Sequence, residues 1–204
     1  MAHERRVRKR VRTMFMSKQS LGAVVAIAGL AAGAQAEDLL ILDLSVANQV
    51  TITATTGAAS ANASGSVFTG FYLANAFGNG STSSLSASLV SGNLTPTSNT
   101  SDNSPSLFNA LGNAGLNVWS YSTSTSSTFT AGQQAFTGSA TWNISAGAYA
   151  DLLDGPSSGD IYFAADTDDD LAAATVIGQW RIVPAPSSLA LIGLGGLVAG
   201  RRRR

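Results

Sequence analysis

The stretch Val50-Thr51-Ile52-Thr53-Ala54-Thr55 alternates apolar and hydroxyl side chains with a period of two. Successive side chains of a strand point to opposite faces, whereas a helix would need apolar residues at i, i+3 and i+4. The stretch therefore predicts a half-buried antiparallel strand, spanning Gln49–Thr55. Outward from it, similar runs predict strands at Leu39–Val46, Val67–Leu73, Leu85–Val90, Leu116–Tyr121, Ser127–Thr130, Ala140–Ile144, Asp160–Ala165 and Thr175–Val183. Glycine and asparagine punctuate the gaps, as at Gly78-Asn79-Gly80 and Gly92-Asn93. From Ser81 to Thr130, 23 of 50 residues are Ser or Thr, a density that opposes long helices. Two short helical turns are expected, Pro105–Leu111 opened by its proline and Ser145–Leu153. Segment 91–106 reads as a long flexible loop. The fold class is all-β, an antiparallel β-sandwich of jelly-roll type with one or two short helices. Phe68, Phe71, Tyr72, Trp119, Trp142, Tyr162, Phe163 and Trp180 fall along most of these strands and are expected in the core.

Formal charge over the 204 residues is zero, but the charges are segregated. Residues 1–36 carry seven positives and one acid, and residues 184–204 carry four arginines and no acid. Residues 37–183 carry one positive, Arg181, against eleven acids, a net of −10. Such a body cannot neutralise phosphates, which excludes a basic nucleic-acid-binding domain. Cysteine is absent, so disulfides and thiolate metal sites are excluded.

The two ends read as addresses. A basic segment through Lys18 precedes the apolar run Leu21–Ala32 and the small-x-small pattern Ala34-Gln35-Ala36. This is the form of a secretory signal peptide, residues 1–36, cut by signal peptidase after Ala36. Twelve apolar residues reach roughly 18 Å, short of a ~30 Å hydrocarbon core. At the other end, Pro184-Ala185-Pro186 forms a helix-excluding stem. The apolar run Leu189–Gly200 follows, and then Arg201, Arg202, Arg203 and Arg204. The run predicts a short transmembrane helix whose arginines stay cytoplasmic, leaving residues 37–183 outside the inner membrane. A helix this short suits a segment that is recognised and cut better than a lasting anchor.

This C-terminal end resembles the PEP-CTERM sorting signal of Gram-negative bacteria, over about the last 22 residues. Pro184 and Pro186 match the stem, with Ala185 where the family usually has glutamate. The glycine-containing apolar run and the cluster Arg201–Arg204 match the other two parts. The resemblance implies handling by exosortase, a membrane-embedded cysteine transpeptidase. It implies passage through the inner membrane to the cell envelope or the outside, in bacteria that make exopolysaccharide.

Catalytic chemistry is narrowly bounded. Residues 37–204 contain no His, Cys or Lys, so Ser-His-Asp, Cys-His and Ser-Lys arrangements and histidine metal sites are impossible there. No Gly-rich phosphate loop joins a strand to a helix. Carboxylates remain, and no pair is marked out for glycoside hydrolysis. Asp166, Asp168 and Asp170, in the run Asp166-Thr167-Asp168-Asp169-Asp170, are the one set suited to a hard cation such as calcium. A charged turn between two strands is the competing reading. No other cofactor is expected. Five Asn-x-Ser/Thr triplets occur, at Asn62, Asn79, Asn93, Asn99 and Asn143, as expected by chance in so Ser/Thr-rich a chain. The reading is an exported, non-enzymatic envelope or extracellular-matrix protein with no nucleic-acid partner. One rival is an exopolysaccharide-binding module stacking sugars on Trp119, Trp142 and Tyr149. Another is an ice-binding surface built from Thr51, Thr53 and Thr55.

Overall fold

A computed structural model describes residues 36–99, 105–120 and 126–183. The expected signal helix and transmembrane helix lie outside these residues. Among the described residues no helix is long and apolar enough to cross a membrane.

In chain order the strands are β1 (Asp38–Asp43), β2 (Gln49–Ala54), β3 (Ala63–Ser66), β4 (Phe71–Leu73), β5 (Ala87–Gly92), β6 (Thr95–Pro96) and β7 (Pro105–Phe108). They continue with β8 (Leu116–Ser120), β9 (Ser126–Phe129), β10 (Phe136–Thr137), β11 (Ser139–Ile144), β12 (Ser158–Phe163) and β13 (Thr175–Val183). One helix, α1 (Ala146–Asp154), joins β11 to β12. Nine strands form one sheet in the order β5-β11-β2-β1-β13-β12-β4-β8-β7, and β10-β6 and β3-β9 form two small ladders.

The alternation in β2 sets its pairing. Val50 and Ile52 are fully buried, while Thr51 and Thr53 face away from the core. Ile52 sits opposite Leu42 of β1 and Ala140 of β11. A slip of one residue would turn every apolar side chain outward, so the hydrophobic pattern fixes the register. The two edge strands of the sheet, β5 and β7, lie against each other. The Trp142 indole N–H on β11 donates to the Pro105 carbonyl on β7 at 3.0 Å. The sheet is therefore curled on itself around one core that contains Leu40, Leu42, Val50, Ile52, Trp142 and Trp180. At one end of the curl, Phe71, Phe129, Phe136 and Phe163 pack edge to face or tilted, with centroids 4.7 to 5.2 Å apart. These contacts fasten both small ladders to the large sheet.

The chain is mostly β, with most expected strands within a few residues of their bounds and β13 at Thr175–Val183, but of Val67–Leu73 only Phe71–Leu73 is strand and residues 67–69 form a turn. Several expectations need correction. The nine strands share one sheet, and β1 pairs β13 in parallel, so the arrangement departs from a purely antiparallel sandwich. Pro105–Leu111 does not open a helix. Its first four residues form β7, with Leu107 opposite Val118, because the free edge of β8 offers a ladder to a strand whose leading proline needs no partner for an N–H. Segment 91–106 is not one loop, since it holds the end of β5, β6 and the start of β7. The expected helix at Ser145–Leu153 is α1, with the Ser145 hydroxyl accepting from the Ala148 N–H at 3.4 Å. Phe68 is half exposed, and Trp119 and Tyr162 are partly exposed, so three of the eight expected core aromatics stand outside it.

Candidate functional site

The acidic run follows β12 and crosses the outer face of β4 and β8 before β13 begins. Ala165, Leu171 and Ala174 cover Tyr72 there, in a small apolar cluster separate from the main core. Asp168, within the 3-10 turn Asp168–Asp170, accepts from the Tyr72 hydroxyl at 2.7 Å and from the Ala114 N–H at 2.8 Å, one bond on each carboxylate oxygen. Its own N–H donates to Asn113 Oδ1 at 2.8 Å. The Tyr72 hydroxyl also accepts from the Gly115 N–H at 2.8 Å. Burial, with the carboxylate beside it, raises the Tyr72 phenol well above its ordinary pKa. Asn117, on β8, donates to the carbonyls of Thr69, Phe71 and Ala165. The run is thus stitched to β4 and β8 by Tyr72, which the sequence marked only as a core aromatic, and by Asn113 and Asn117, which it did not mark.

Asp170 and Asp166 face one another, and the Asp166 N–H donates to Asp170 Oδ2 at 3.1 Å. Burial, and then the neighbouring Asp170 carboxylate, raises the Asp166 pKa. Asp168 spends its two carboxylate oxygens on Tyr72 and Ala114. Among the described residues no group of three or more acids is placed to hold a metal ion.

Other carboxylates hold backbone. Asp151, on α1, accepts from the Thr82 and Ser83 N–H groups and the Thr82 hydroxyl at 2.9, 3.2 and 2.7 Å. Glu37 accepts from the Ala58 N–H at 2.7 Å, and its carbonyl accepts from the Gln179 N–H at 2.9 Å. Asp38 pairs with Arg181 at 2.8 Å. The half-open recess beside Trp119 and Asn99 measures about 10 Å³, room for a single water.

The proposed sugar-stacking row does not form. Trp142 is 1% exposed, with its indole spent on Pro105, and the Tyr149 hydroxyl donates to the Leu44 carbonyl at 2.6 Å. Thr51 meets Thr141 of β11 through their hydroxyls at 2.8 Å, and Thr53 lies opposite Ser139. On the other side, β1 places Asp43 and Ile41 beside them, so the threonine face is two strands wide. Of the five Asn-x-Ser/Thr positions, Asn99 is buried and the other four are exposed.

At the amino end, Ala36 directly precedes Glu37, whose carbonyl already accepts from Gln179 of β13. Ala34 lies outside the described residues, as do Pro184, Pro186 and Arg201–Arg204. Val183 closes β13, opposite Asp43.

Residues 183–204 match the family model of the PEP-CTERM protein-sorting motif. The comparison with curated proteins gave no match, and neither did that with solved structures. The chain therefore carries a sorting signal of the kind processed by exosortase. The match begins on the last residue of β13, so no spacer separates the folded strand from the motif.

Proposed function

We propose that residues 37–183 form a passive, non-enzymatic module, exported by the N-terminal signal and delivered by C-terminal sorting to the cell envelope or extracellular matrix. The observation that carries this reading is the sorting motif starting at Val183, the last residue of β13. The body's chemistry supports the passive role. Asp151, Asp168 and Glu37 hold backbone N–H groups, and Asp38 is paired with Arg181, which makes each a poor acid or base for a substrate.

Mass spectrometry of the protein purified from its host tests the reading. The expected mature chain begins at Glu37 and ends near the Pro184-Pro186 stem. Replacing Arg201–Arg204 with serine removes the charges that hold the tail in register across the membrane, so unprocessed protein accumulates. A wild-type mature chain that keeps residues 187–204 and fractionates with the inner membrane would show a plain anchor instead.

A further inference from the structure

The ladders define two ends of the curled sheet. Because β1 and β13 are parallel, Asp38 and Gln179 mark one end, while Asp43 and Val183 mark the other. The chain enters the sheet at the first end and leaves it at the second. Following the pairings around the sheet, the exit end holds the β1–β2 turn, the β4–β5 and β7–β8 connections and α1.

Exposed apolar side chains are not spread evenly between these ends. Among the described residues eight large hydrophobics are exposed. Five of them sit at the exit end: Val46 at 55%, Phe108, Leu111 at 64%, Leu153 and Val183. Phe68 lies at the entry end, and Leu89 and Val90 lie along the edge strand β5. Leu153 illustrates the contrast on one element, since α1 buries Ala148 and Leu152 and turns Leu153 outward. Five of the eight at one end is an uneven distribution, and a concentration of exposed apolar side chains on one side of a protein marks an interaction surface.

The geometry points to a membrane-facing rim: the exit end of the sheet, through Val46, Leu111, Leu153 and their neighbours, rests on the bilayer that holds the tail. The occupant follows from where the chain goes next. Five residues, 184–188, separate Val183 from the apolar run Leu189–Gly200. Fully extended they span about 17 Å, so the exit end cannot stand further than that from the membrane. With the strands upright on the membrane, as the rim requires, the entry end stands about 20 Å further away, by the length of a six-residue strand. The rim carries acids too: Asp43 and Asp154 are exposed at this end, the Asp168–Asp170 turn is bonded to its β7–β8 connection, and residues 37–183 have a net charge of −10. Contact is therefore apolar, favours zwitterionic lipid, and weakens against an anionic surface. This inference rests on the tail entering a membrane, as the proposed sorting route requires.

The chain has no cysteine, so single cysteines label cleanly. The full chain is reconstituted in phosphatidylcholine vesicles containing spin-labelled lipid, with a fluorophore at position 46, 153, 68 or 192. The label at position 192 reports tail insertion. The expected result is quenching at positions 46 and 153 several-fold above that at position 68. It should fall when phosphatidylglycerol replaces half of the phosphatidylcholine. In the double variant Leu111→Ser, Leu153→Ser, quenching at position 46 should drop while quenching at position 192 persists. Strong quenching at 192 with none at 46 and 153, or equal quenching at 46 and 68, overturns the rim and leaves the sorting route standing. Energy transfer between labelled copies at position 46 without lipid quenching makes the rim an interface between copies, and also overturns it. No quenching at 192 overturns both the rim and the proposed route.

Discussion

Tyr72 shows how one residue can hold a long excursion of the chain. It sits in the middle of the three-residue strand β4, pointing out of the sheet, under the cover of Ala165, Leu171 and Ala174. Its hydroxyl donates to Asp168 and accepts from Gly115. Tyr72→Phe keeps the ring but strands a carboxylate oxygen and a buried N–H. The expected loss is about 2 kcal/mol, the scale for a buried group left without its partner, read from urea denaturation. The same phenol gives a pH signature. Its folded pKa is raised, so its contribution is complete below the ordinary tyrosine value of 10.0 and is lost as pH rises above it. Wild-type stability should therefore fall through that alkaline range more steeply than that of Tyr72→Phe. Asp166 acts at the acid end of the scale. Its raised pKa means that the charged form is disfavoured in the fold, so stability is lost as pH rises from the ordinary value of 3.8. Asp166→Asn should melt higher than wild type at neutral pH and nearly level with it below that value. A lower melting temperature for Asp166→Asn at pH 7 would contradict this. The sequence marked the acids at 166–170 and marked Tyr72 only as a core aromatic, and it marked neither Asn113 nor Asn117, because these residues meet Asp168 and Ala165 only across 48 or more positions of chain.

Local patterns served elements well when one face met the core. Thr175–Val183 and Gln49–Ala54 are strands because their alternation matches a two-sided environment. Helix α1 was legible from its serine cap and small, apolar sequence. Ser145→Ala removes the hydroxyl that accepts from the Ala148 N–H and, through the same atom, the donor to the Ser84 carbonyl. The expected cost is about 1 kcal/mol, measured by thermal or urea unfolding. A change within a few tenths of zero would mean that burial of Ala148 and Leu152 alone positions the helix. Pro105–Phe108 went the other way. Its proline fits the first turn of a helix and the start of an edge strand equally well, and propensity cannot choose between them. The open edge of β8 and the burial of Pro105 decided it.

For the whole molecule, the charge imbalance becomes a physical property of the fold. Arg181 is the one cation in residues 37–183, and it is already paired with Asp38. The remaining acids repel, so added salt screens more repulsion than attraction. The melting temperature at neutral pH should rise with moderate sodium chloride, and a fall would show that the Asp38–Arg181 pair outweighs the repulsion. The amino-acid sequence by itself determined the mostly-β class, most strand positions, the acidic body and the sorting motif at residues 183–204. Each is written in composition, in period-two alternation or in a contiguous string read by another protein, and none depends on distant residues meeting. Only the tertiary structure decided that β1 and β13 run parallel, that the sheet curls until β5 meets β7, and that Trp142 is buried rather than offered to a ligand. Only it gathered Val46, Leu111, Leu153 and Val183 at the end where the chain departs for its sorting motif. The physical reason is that strand order and curvature are set by the balance of loop closure and core burial across the chain, and a single strand's side-chain pattern is the same whichever neighbour it finds.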